Sequence, residues 1–214
     1  MSVRDEYFKD VSSAEELIDG NNDLDSLRDA ASVCRACNLW KLGTQTVFGE
    51  GNTSSKIVFV GEQPGNDEDL SGRPFVGPAG KLLQKALVDA GINRADVYVT
   101  NVVKHFNWEP RGKRRIHKRP NGLQVAACQP WLDAEIRAIK PGIVVCLGAT
   151  AAQSLLGQDF KVTKRRGEVI KSEHGYSIVA TIHPSAILRT LDDQARRDEL
   201  KRFVDDLKKI ATLL

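Results

Sequence analysis

The sequence predicts an α/β fold in which helices cover both faces of a central parallel sheet. Short apolar segments alternate with helical ones, which is the pattern of strands buried inside a parallel sheet. The predicted strands are residues 56–60, 96–103, 143–147 and 177–182. The chain has 214 residues, 41% of them hydrophobic, which is enough for one domain of this class. We therefore expect a three-layer α/β/α sandwich with a central four-stranded parallel sheet, in a single domain over residues 1–214.

Four segments around these strands predict helices: residues 12–30, 78–90, 122–138 and about 192–214. The first belongs to a polar helical lead-in over about residues 1–30, in which Asp23 or Asp25 can cap a helix. Pro130 stands inside the third segment, so we expect that helix to be kinked or interrupted there.

The charge balance leaves the class of partner open. There are 31 Lys and Arg residues against 28 Asp and Glu, giving a net charge of +3. This excess neither requires nor excludes nucleic acid, because the distribution of charge matters more than its sum. No apolar run approaches the length that crosses a bilayer, and the N-terminus lacks a basic-then-apolar leader. We expect a cytoplasmic protein with no membrane partner.

The ligand site of a parallel sheet lies beyond the carboxyl ends of its strands. After the first strand, Gly61 to Gly65 read Gly-Glu-Gln-Pro-Gly. The glycines permit a sharp turn and a close approach to a ligand, and Glu62 can act as a base or an orienting group. An ordinary β-turn with a solvated glutamate explains the same pentapeptide equally well.

Two further strand ends carry residues suited to chemistry. Asn101 to His105 is polar and ionisable, and His183 stands where an imidazole can polarise a carbonyl oxygen. Beyond it, Ile187 and Leu188 beside Arg189 could form an apolar wedge next to a phosphate contact. Alternatively, these apolar residues begin the buried face of the last helix.

Phe75 lies between proline and glycine residues in the segment 72–80, ahead of a helix. An aromatic ring held in this way can form a stacking floor for a planar base. From composition alone, a core phenylalanine that closes a loop is the simpler explanation.

Residues 106–121 form an inserted loop whose central part is strongly basic. Six of the nine residues from Arg111 to Arg119 are Lys or Arg, whereas the rest of the chain is nearly neutral. Such a loop repels itself unless it meets phosphates. His117, within it, would ordinarily be only another exposed residue.

The four cysteines are not equivalent. Cys34 and Cys37 form a Cys-x-x-Cys pair, which in a reducing compartment favours metal, cluster or redox chemistry over a structural disulfide. Cys128 falls in the third predicted helix. Cys146 falls within an apolar strand, where free cysteine is a common core residue.

In their order along the chain, these segments resemble the uracil-DNA glycosylase superfamily, in particular its iron–sulfur branch and, within that branch, the UdgX type. The resemblance runs from about Cys34 to the C-terminal helix, and its most specific motif is Lys113–His117, which reads Lys-Arg-Arg-Ile-His. It implies an α/β/α sandwich on a four-stranded parallel sheet, with uracil flipped into a pocket at the strand ends.

The resemblance also implies residue roles. The implied catalytic residues are Glu62, Gln63, His117 and His183, and those implied to bind uracil are Gly61, Phe75, Asn101 and His183. Phe75 would stack on uracil, Asn101 would hydrogen-bond the base edge, and His183 would stabilise negative charge on uracil O2. The implied DNA contacts are Lys113, Arg114, Arg115, Leu188 and Arg189, the last two at the vacated base stack.

In UdgX-type proteins, the histidine at the position of His117 attacks the sugar and the product stays attached. Loss of uracil leaves an electrophilic C1′, and neutral imidazole, with a reference pKa of about 6.5, offers a lone pair. Neighbouring Arg114 and Arg115 should disfavour the imidazolium further. Glu62 can accept a hydrogen bond from the imidazole and orient it. We therefore expect a single-turnover enzyme that traps itself on DNA.

The resemblance further implies a [4Fe–4S] cluster. Cys34, Cys37 and Cys128 match three of its ligands, but the position expected to hold the fourth cysteine carries His105. Histidine ligation of an iron–sulfur centre is known chemistry, so we expect His105 to complete the set and Cys146 to be structural. An all-cysteine set that includes Cys146 is the alternative, and zinc is a weaker one.

The expected partner is uracil-containing DNA, with single strands preferred, and the expected state is a monomer. Two other functions stay open. One is a multi-turnover glycosylase in which Glu62 activates water and His117 only contacts phosphate. The other is a non-catalytic iron–sulfur protein that binds nucleic acid through the basic loop.

Overall fold

A computed structural model describes residues 13–18, 20 and 23–213. The rest of the predicted lead-in, and the last residue of the predicted C-terminal helix, lie outside the described residues. Within the described part, Asp23 caps a helix, as predicted, by accepting hydrogen bonds from the backbone N–H groups of Asp25 and Ser26.

Short apolar runs form most of the strands. Among the described residues the strands are β1 (Ile57–Gly61), β2 (Val97–Asn101), β3 (Trp108–Arg111), β4 (Arg114–His117), β5 (Ile143–Leu147), β6 (Val169–Lys171) and β7 (Ser177–Thr181). The central sheet has the order β2-β1-β5-β7-β6. Its first four strands are parallel and fully buried, and they are the four predicted strands.

The predicted α/β/α architecture is confirmed, but the predicted count of four strands in the sheet is wrong. The fifth strand, β6, pairs antiparallel with β7 at the edge of the sheet. It is only three residues long and mostly exposed, so no apolar run reveals it in the sequence. Very short edge strands, here ending in a lysine, limit the pairing of a sheet with other chains.

Helices cover both faces of the sheet. In the described part they are α1 (Glu15–Ile18), α2 (Leu24–Ser32), α3 (Asn66–Ser71), α4 (Pro78–Asp89), α5 (Gly122–Ile139), α6 (Ala149–Leu156), α7 (Val162–Arg165), α8 (Pro184–Arg189) and α9 (Asp193–Ala211). Short 3₁₀ turns occupy Asn38–Lys41 and Arg94–Asp96. In the described part, none of these helices is both long and apolar enough to cross a membrane.

Alternate residues of each buried strand enter two separate cores. Val58 and Val60 pack with α2, α5 and α6 on one face, whereas Ile57 and Phe59 pack with α4, α8 and α9 on the other. Helix α5 runs continuously through Pro130, so the expected interruption is wrong, while the expected kink stays a prediction. Its buried residues hold it against the first core.

The predicted loop over residues 106–121 contains an antiparallel hairpin. Strands β3 and β4 pair from Trp108–His117 to Arg111–Arg114, which leaves a two-residue turn at Gly112 and Lys113. Gly112 takes a positive φ of 61°, as tight hairpin turns require. In these two strands polar and apolar residues do not alternate, so the sequence lacks the period-two pattern that predicts a strand.

A buried ion pair joins the end of β2 to α5. Lys104 Nζ lies 2.6 Å from Glu135 Oε2, and both side chains are almost completely buried. The ammonium also donates to Thr100 Oγ1 and to the Asn101 carbonyl, while Tyr98 and the Gly49 backbone N–H donate to the carboxylate. Every charge is therefore compensated by named partners.

We predict that breaking this pair from one side strongly destabilises the protein. Lys104→Met and Glu135→Gln should each lower the free energy of unfolding by about 3–5 kcal/mol, because each leaves polar groups buried without their partner. The double change Lys104→Met/Glu135→Leu should cost less than the sum of the two single effects. Urea unfolding followed by circular dichroism measures all three.

The matched control is the exposed pair of Lys201 and Asp205, 3.0 Å apart on α9. Lys201→Met should change the unfolding free energy by less than about 0.5 kcal/mol. Costs below about 1 kcal/mol for both buried single variants would contradict the importance given to the pair.

Candidate active site at the carboxyl ends of the strands

Three of the predicted uracil-binding residues meet at the carboxyl edge of the sheet. Gly61 ends β1 and stands in register with Asn101, which ends β2. A Cβ at Gly61 would overlap the Asn101 side-chain oxygen and lie 2.9 Å from Phe75 Cζ. Glycine at this position therefore leaves the space in which the Asn101 amide and the Phe75 ring face each other.

Phe75 is held by backbone packing in an unusual conformation. Its φ is 56°, in the left-handed region that non-glycine residues rarely adopt. The first turn of α4 lies against it so closely that a Cβ at Gly80 would overlap the Phe75 carbonyl. The ring lies almost parallel to His183, with 6.3 Å between ring centroids and 27° between planes.

His183 caps α8 and is neutral in the folded protein. Its pKa is lowered to about 4, mainly by burial and in addition by Arg189 and His117. Its Nδ1 accepts a hydrogen bond from the Ser185 backbone N–H at 3.1 Å. Because a neutral imidazole carries one proton and Nδ1 is an acceptor, that proton is on Nε2. His183 can therefore offer an N–H donor without carrying a charge.

Glu62 stands between two groups of partners. Its Oε1 lies 3.3 Å from His117 Nε2. Its Oε2 accepts a hydrogen bond from the Thr150 hydroxyl and lies 3.7 Å from Arg119 Nε. Each carboxylate oxygen thus has its own neighbours, and the one facing His117 is Oε1.

His117 ends β4, and its side chain is about half exposed at 47%. Partial burial lowers its pKa below the ordinary value, while Glu62 acts in the opposite direction and Arg189 adds to the lowering. The imidazole is therefore mainly neutral near pH 7. Arg189 is the nearby cation responsible, rather than Arg114 and Arg115 as the sequence suggested, because Arg115 points elsewhere.

Arg115 fixes the hairpin to the body of the domain. Its guanidinium lies 2.6 Å from Asp69 Oδ2 and donates to Asn66 Oδ1 at 2.8 Å. The same group packs over the rings of Phe106 and Trp108, 5.4 and 5.5 Å from their centroids. In this structure Arg115 is therefore engaged with protein groups, whereas Lys113 and Arg114 at the hairpin tip are exposed.

Gln63 closes the base of the hairpin. Its amide donates to the carbonyls of Asn107 and Lys118, at 3.0 and 3.1 Å, and its oxygen accepts from the Asn107 N–H. One side chain thus holds both ends of the insertion beside Glu62. The family resemblance implies a catalytic role for Gln63. In the structure its side chain positions the hairpin that carries His117.

Comparisons with known proteins identify the family of this chain. A family model described as the uracil DNA glycosylase superfamily matches residues 48–208. The chain belongs to the uracil-DNA glycosylase superfamily.

Curated relatives of this chain within the superfamily match over most of its length. A type-4 uracil-DNA glycosylase of Thermotoga maritima is 40% identical over 193 residues, which cover 89% of this chain and 94% of the relative. One from Archaeoglobus fulgidus is 40% identical over 198 residues, covering 89% and 92%. Another, from Pyrobaculum aerophilum, is 37% identical over 202 residues, covering 87% and 100%.

The segment after His183 presents two large apolar side chains to solvent. Ile187 is buried in the core, which excludes it from a wedge, whereas Leu188 is 43% exposed. Leu191, which the sequence analysis passed over, is 96% exposed. Arg189 between them acts electrostatically on both site histidines. Leu191 differs from Ile187 in being exposed beside a cation, which the structure shows.

Three of the four predicted cluster ligands are buried near one another in this superfamily member. Cys34, Cys37 and Cys128 are free thiols in the first core. Burial raises the pKa of Cys128 to about 12, with Cys37 and Cys34 adding to the effect. Burial is the one cause for the raised pKa of Cys146, which lies apart within β5. All four cysteines lie in the same core, and the thiols that act on the pKa of Cys128 are Cys37 and Cys34.

Two of these thiols accept hydrogen bonds. Cys34 Sγ accepts the Trp131 indole N–H and Cys128 Sγ accepts the Lys104 backbone N–H, each at 3.3 Å, and such bonds tune cluster sulfurs. Within the described ranges, no three His, Cys, Asp or Glu side chains are arranged to hold one metal ion. His105 is buried, with Nε2 3.0 Å from Thr46 Oγ1.

Sequence reasoning assigned no role to several residues that the structure brings into the site. Thr150 and Arg119 contact Glu62, and Asp69 holds Arg115. Thr150 follows the third predicted strand, so its position at the carboxyl edge was a usable signal. Arg119 and Asp69 carried none, because charged residues in polar segments are ordinarily solvated.

We predict that Gly80→Ala impairs uracil excision, because the added Cβ must displace the Phe75 backbone and with it the predicted stacking surface. A displacement of about 1 Å in a site can cost on the order of 100-fold in rate. Single-turnover release of labelled uracil from DNA measures the effect. Gly122→Ala is the matched control, since a Cβ there meets nothing within 4 Å, and it should leave release unchanged. Equal rates for both variants would contradict the prediction.

Proposed function

We propose that this protein excises uracil from DNA and then bonds covalently, through His117, to C1′ of the resulting abasic sugar. Excision is the part that superfamily membership and the type-4 relatives support. Covalent capture is the finer part. The observation that carries it is the neutral imidazole of His117 held 3.3 Å from the Glu62 carboxylate.

In this proposal the strand-end residues recognise the flipped base. Phe75 stacks on uracil, and the Asn101 amide, facing the space that Gly61 leaves open, pairs with the base edge. His183 donates its Nε2–H to uracil O2. A neutral donor suits this task, because it stabilises the developing oxyanion in a water-poor site without having to lose a proton.

The covalent step exchanges one C–N bond for another. The C1′–N1 bond breaks and its electron pair leaves with uracil, as an anion that His183 stabilises. The lone pair of the His117 nitrogen that carries no proton bonds to C1′, and the resulting imidazolium gives its N–H proton to Glu62 Oε1, which lies 3.3 Å from Nε2. Protonated Glu62 passes the proton to the uracil anion, directly or through water. The products are neutral uracil and DNA joined to an uncharged imidazole, so atoms and charges balance.

Capture competes with hydrolysis because the nucleophile is held in place. A positioned group can have an effective molarity on the order of 10⁵–10⁸ M, far above the concentration of water. The hairpin supplies this positioning through Arg115 and Gln63. Imidazole is then a poor leaving group from C1′, so the enzyme stays attached after one turnover.

Single-stranded DNA is the substrate that we propose to be preferred. An unpaired uracil can enter the pocket without the cost of opening a base pair, a few kcal/mol on the usual scale. The exposed cations at the hairpin tip, Lys113 and Arg114, would bind the phosphates of the strand. We propose that the enzyme acts as a monomer.

We further propose that Cys34, Cys37, His105 and Cys128 hold a [4Fe–4S] cluster. Such a cluster would cross-link the N-terminal segment, the residues after β2 and helix α5. The group has a structural role in this proposal, because all four residues are buried and the named partners of the Glu62 carboxylate are His117, Thr150 and Arg119.

We predict that wild-type protein incubated with uracil-containing single-stranded DNA forms an adduct that survives boiling in detergent. His117→Ala should form none, while still releasing uracil, because recognition residues remain in place. His174→Ala, which removes an exposed histidine on the β6–β7 turn, is the matched control and should behave as wild type. Denaturing gel electrophoresis and uracil release are the two measurements. An adduct in His117→Ala, or turnover without adduct in the wild type, would rule out capture.

The pH dependence of adduct formation gives an independent readout. Burial lowers the pKa of His117 below the ordinary value of 6.5, so the neutral form predominates at and above that pH. The rate constant should therefore keep more than half of its pH 8 value at pH 6.5 and fall at lower pH. A half-maximum above pH 6.5 would show that the imidazole is charged where we describe it as neutral.

Iron content and visible absorbance test the ligand set. Cys128→Ser should lose the cluster and His105→Ala should lose or weaken it, whereas Cys146→Ala, the control cysteine, should keep both iron and absorbance. Retention of the cluster in His105→Ala together with its loss in Cys146→Ala would overturn the assignment. Zinc in place of iron would overturn the cluster itself.

A further inference from the structure

We propose that Thr150 is a positioning residue that holds the Glu62 carboxylate in the orientation needed to act on His117, with Arg119 supporting it. This inference rests on the proposed function, since it concerns the base in the covalent step. Thr150 does not touch substrate in this proposal, and it acts only through Glu62.

Thr150 reaches the carboxylate because α6 begins directly beyond β5. Gly148 makes the turn with a positive φ of 89°, and a Cβ there would lie 3.1 Å from His183 Cβ. The turn therefore places the first residues of α6 beside the site. Thr150 is 6% exposed, and its hydroxyl donates to Glu62 Oε2.

The direction of this hydrogen bond is fixed by Arg119. The Arg119 guanidinium, which can only donate, points its Nε at Thr150 Oγ1 at 3.1 Å and an Nη at Gln153 Oε1, also at 3.1 Å. Because the hydroxyl oxygen accepts from Arg119, its own hydrogen is directed to Glu62. The three groups thus form a chain of donors running from Arg119 through Thr150 to Glu62 Oε2.

This chain determines which oxygen of Glu62 faces His117. With Oε2 occupied, Oε1 is left beside His117 Nε2. Thr150 also stands between two opposite charges, since Arg119 Nε is 3.7 Å from Oε2, too long for a hydrogen bond. Without the hydroxyl, a direct pair between Glu62 and Arg119 would rotate the carboxylate away from the imidazole.

The same chain connects the carboxylate to the base of the hairpin. The Arg119 carbonyl accepts a hydrogen bond from the Asn107 side chain at 3.2 Å, and Asn107 is in turn held by Gln63. Arg119, which supports the Glu62 carboxylate, and the hairpin that carries His117 are therefore fixed to each other. A small displacement of either would separate Glu62 from His117.

The test compares Thr150→Val, which removes the hydroxyl at nearly constant volume, with Thr150→Ser, which keeps it. Ser154→Ala is the control on the same helix, because the Ser154 hydroxyl bonds to the Ala151 carbonyl instead. For each variant, single-turnover reactions on uracil-containing single-stranded DNA give the rate of uracil release and the fraction of sites ending as adduct or as free abasic DNA. Thermal unfolding checks that all three are folded.

We expect Thr150→Val to form adduct about tenfold more slowly or worse, the usual cost of one hydrogen bond to a charged group. A larger fraction of its sites should end as free abasic DNA, because a misplaced imidazole loses to water. Thr150→Ser should return both values to within about threefold of wild type, and Ser154→Ala should match wild type. This change in product partition, with rescue by serine, would not follow from a loss of stability alone.

Wild-type values in Thr150→Val would overturn the inference, and so would equal defects in the valine and serine variants, which would indicate a steric role. Uracil release without any adduct in the wild type would instead defeat the proposed capture. In that case release decides about Thr150: a slow valine variant rescued by serine supports positioning of Glu62 for water, and an unchanged valine variant overturns it.

Discussion

The buried ammonium of Lys104 is the group on which the surrounding architecture depends. Its Nζ binds Glu135 on α5 and the Asn101 carbonyl at the end of β2, and its backbone N–H bonds to Cys128 Sγ. Its carbonyl accepts the Val47 N–H. One residue thus fixes a strand end, a helix, an N-terminal segment and a thiol relative to one another. The net stability gained from such a pair is small, because desolvating two charges offsets much of their attraction.

The candidate site at the carboxyl ends of the strands has two parts, which are held in place by different kinds of contact. Recognition is built into backbone geometry, since Gly61 and Asn101 end neighbouring strands and Phe75 is locked against the first turn of α4. The proposed nucleophile, by contrast, stands on a hairpin that polar side chains attach to the domain, chiefly through Asp69 and Gln63. The residues proposed for recognition and for capture are therefore held by different contacts.

The sequence predicted what depends on periodicity and failed where tertiary contacts decide. Buried parallel strands are continuous apolar runs, so the four central strands were found nearly to the residue, whereas β6 is short, exposed and invisible to that signal. The site residues at strand ends followed from topology. The partners of Arg115 could not be predicted, because a basic run reads as a phosphate-binding surface until Asp69 is known to lie 2.6 Å away. Thr150 had the right position but no distinguishing chemistry.

His117 and His183 lie under the influence of the same cation, Arg189, but have different proposed roles. Burial lowers the pKa of both His117 and His183 and Arg189 lowers each further, so the neutral form of both rings predominates near pH 7. What differs is the partner of one nitrogen. In His183, Nδ1 accepts the Ser185 N–H, which fixes the proton on Nε2 as a lasting donor. In His117, Nε2 faces a carboxylate that can remove its proton. The proposed roles of the two identical side chains, hydrogen-bond donor for His183 and nucleophile for His117, therefore differ because one neighbour donates and the other accepts.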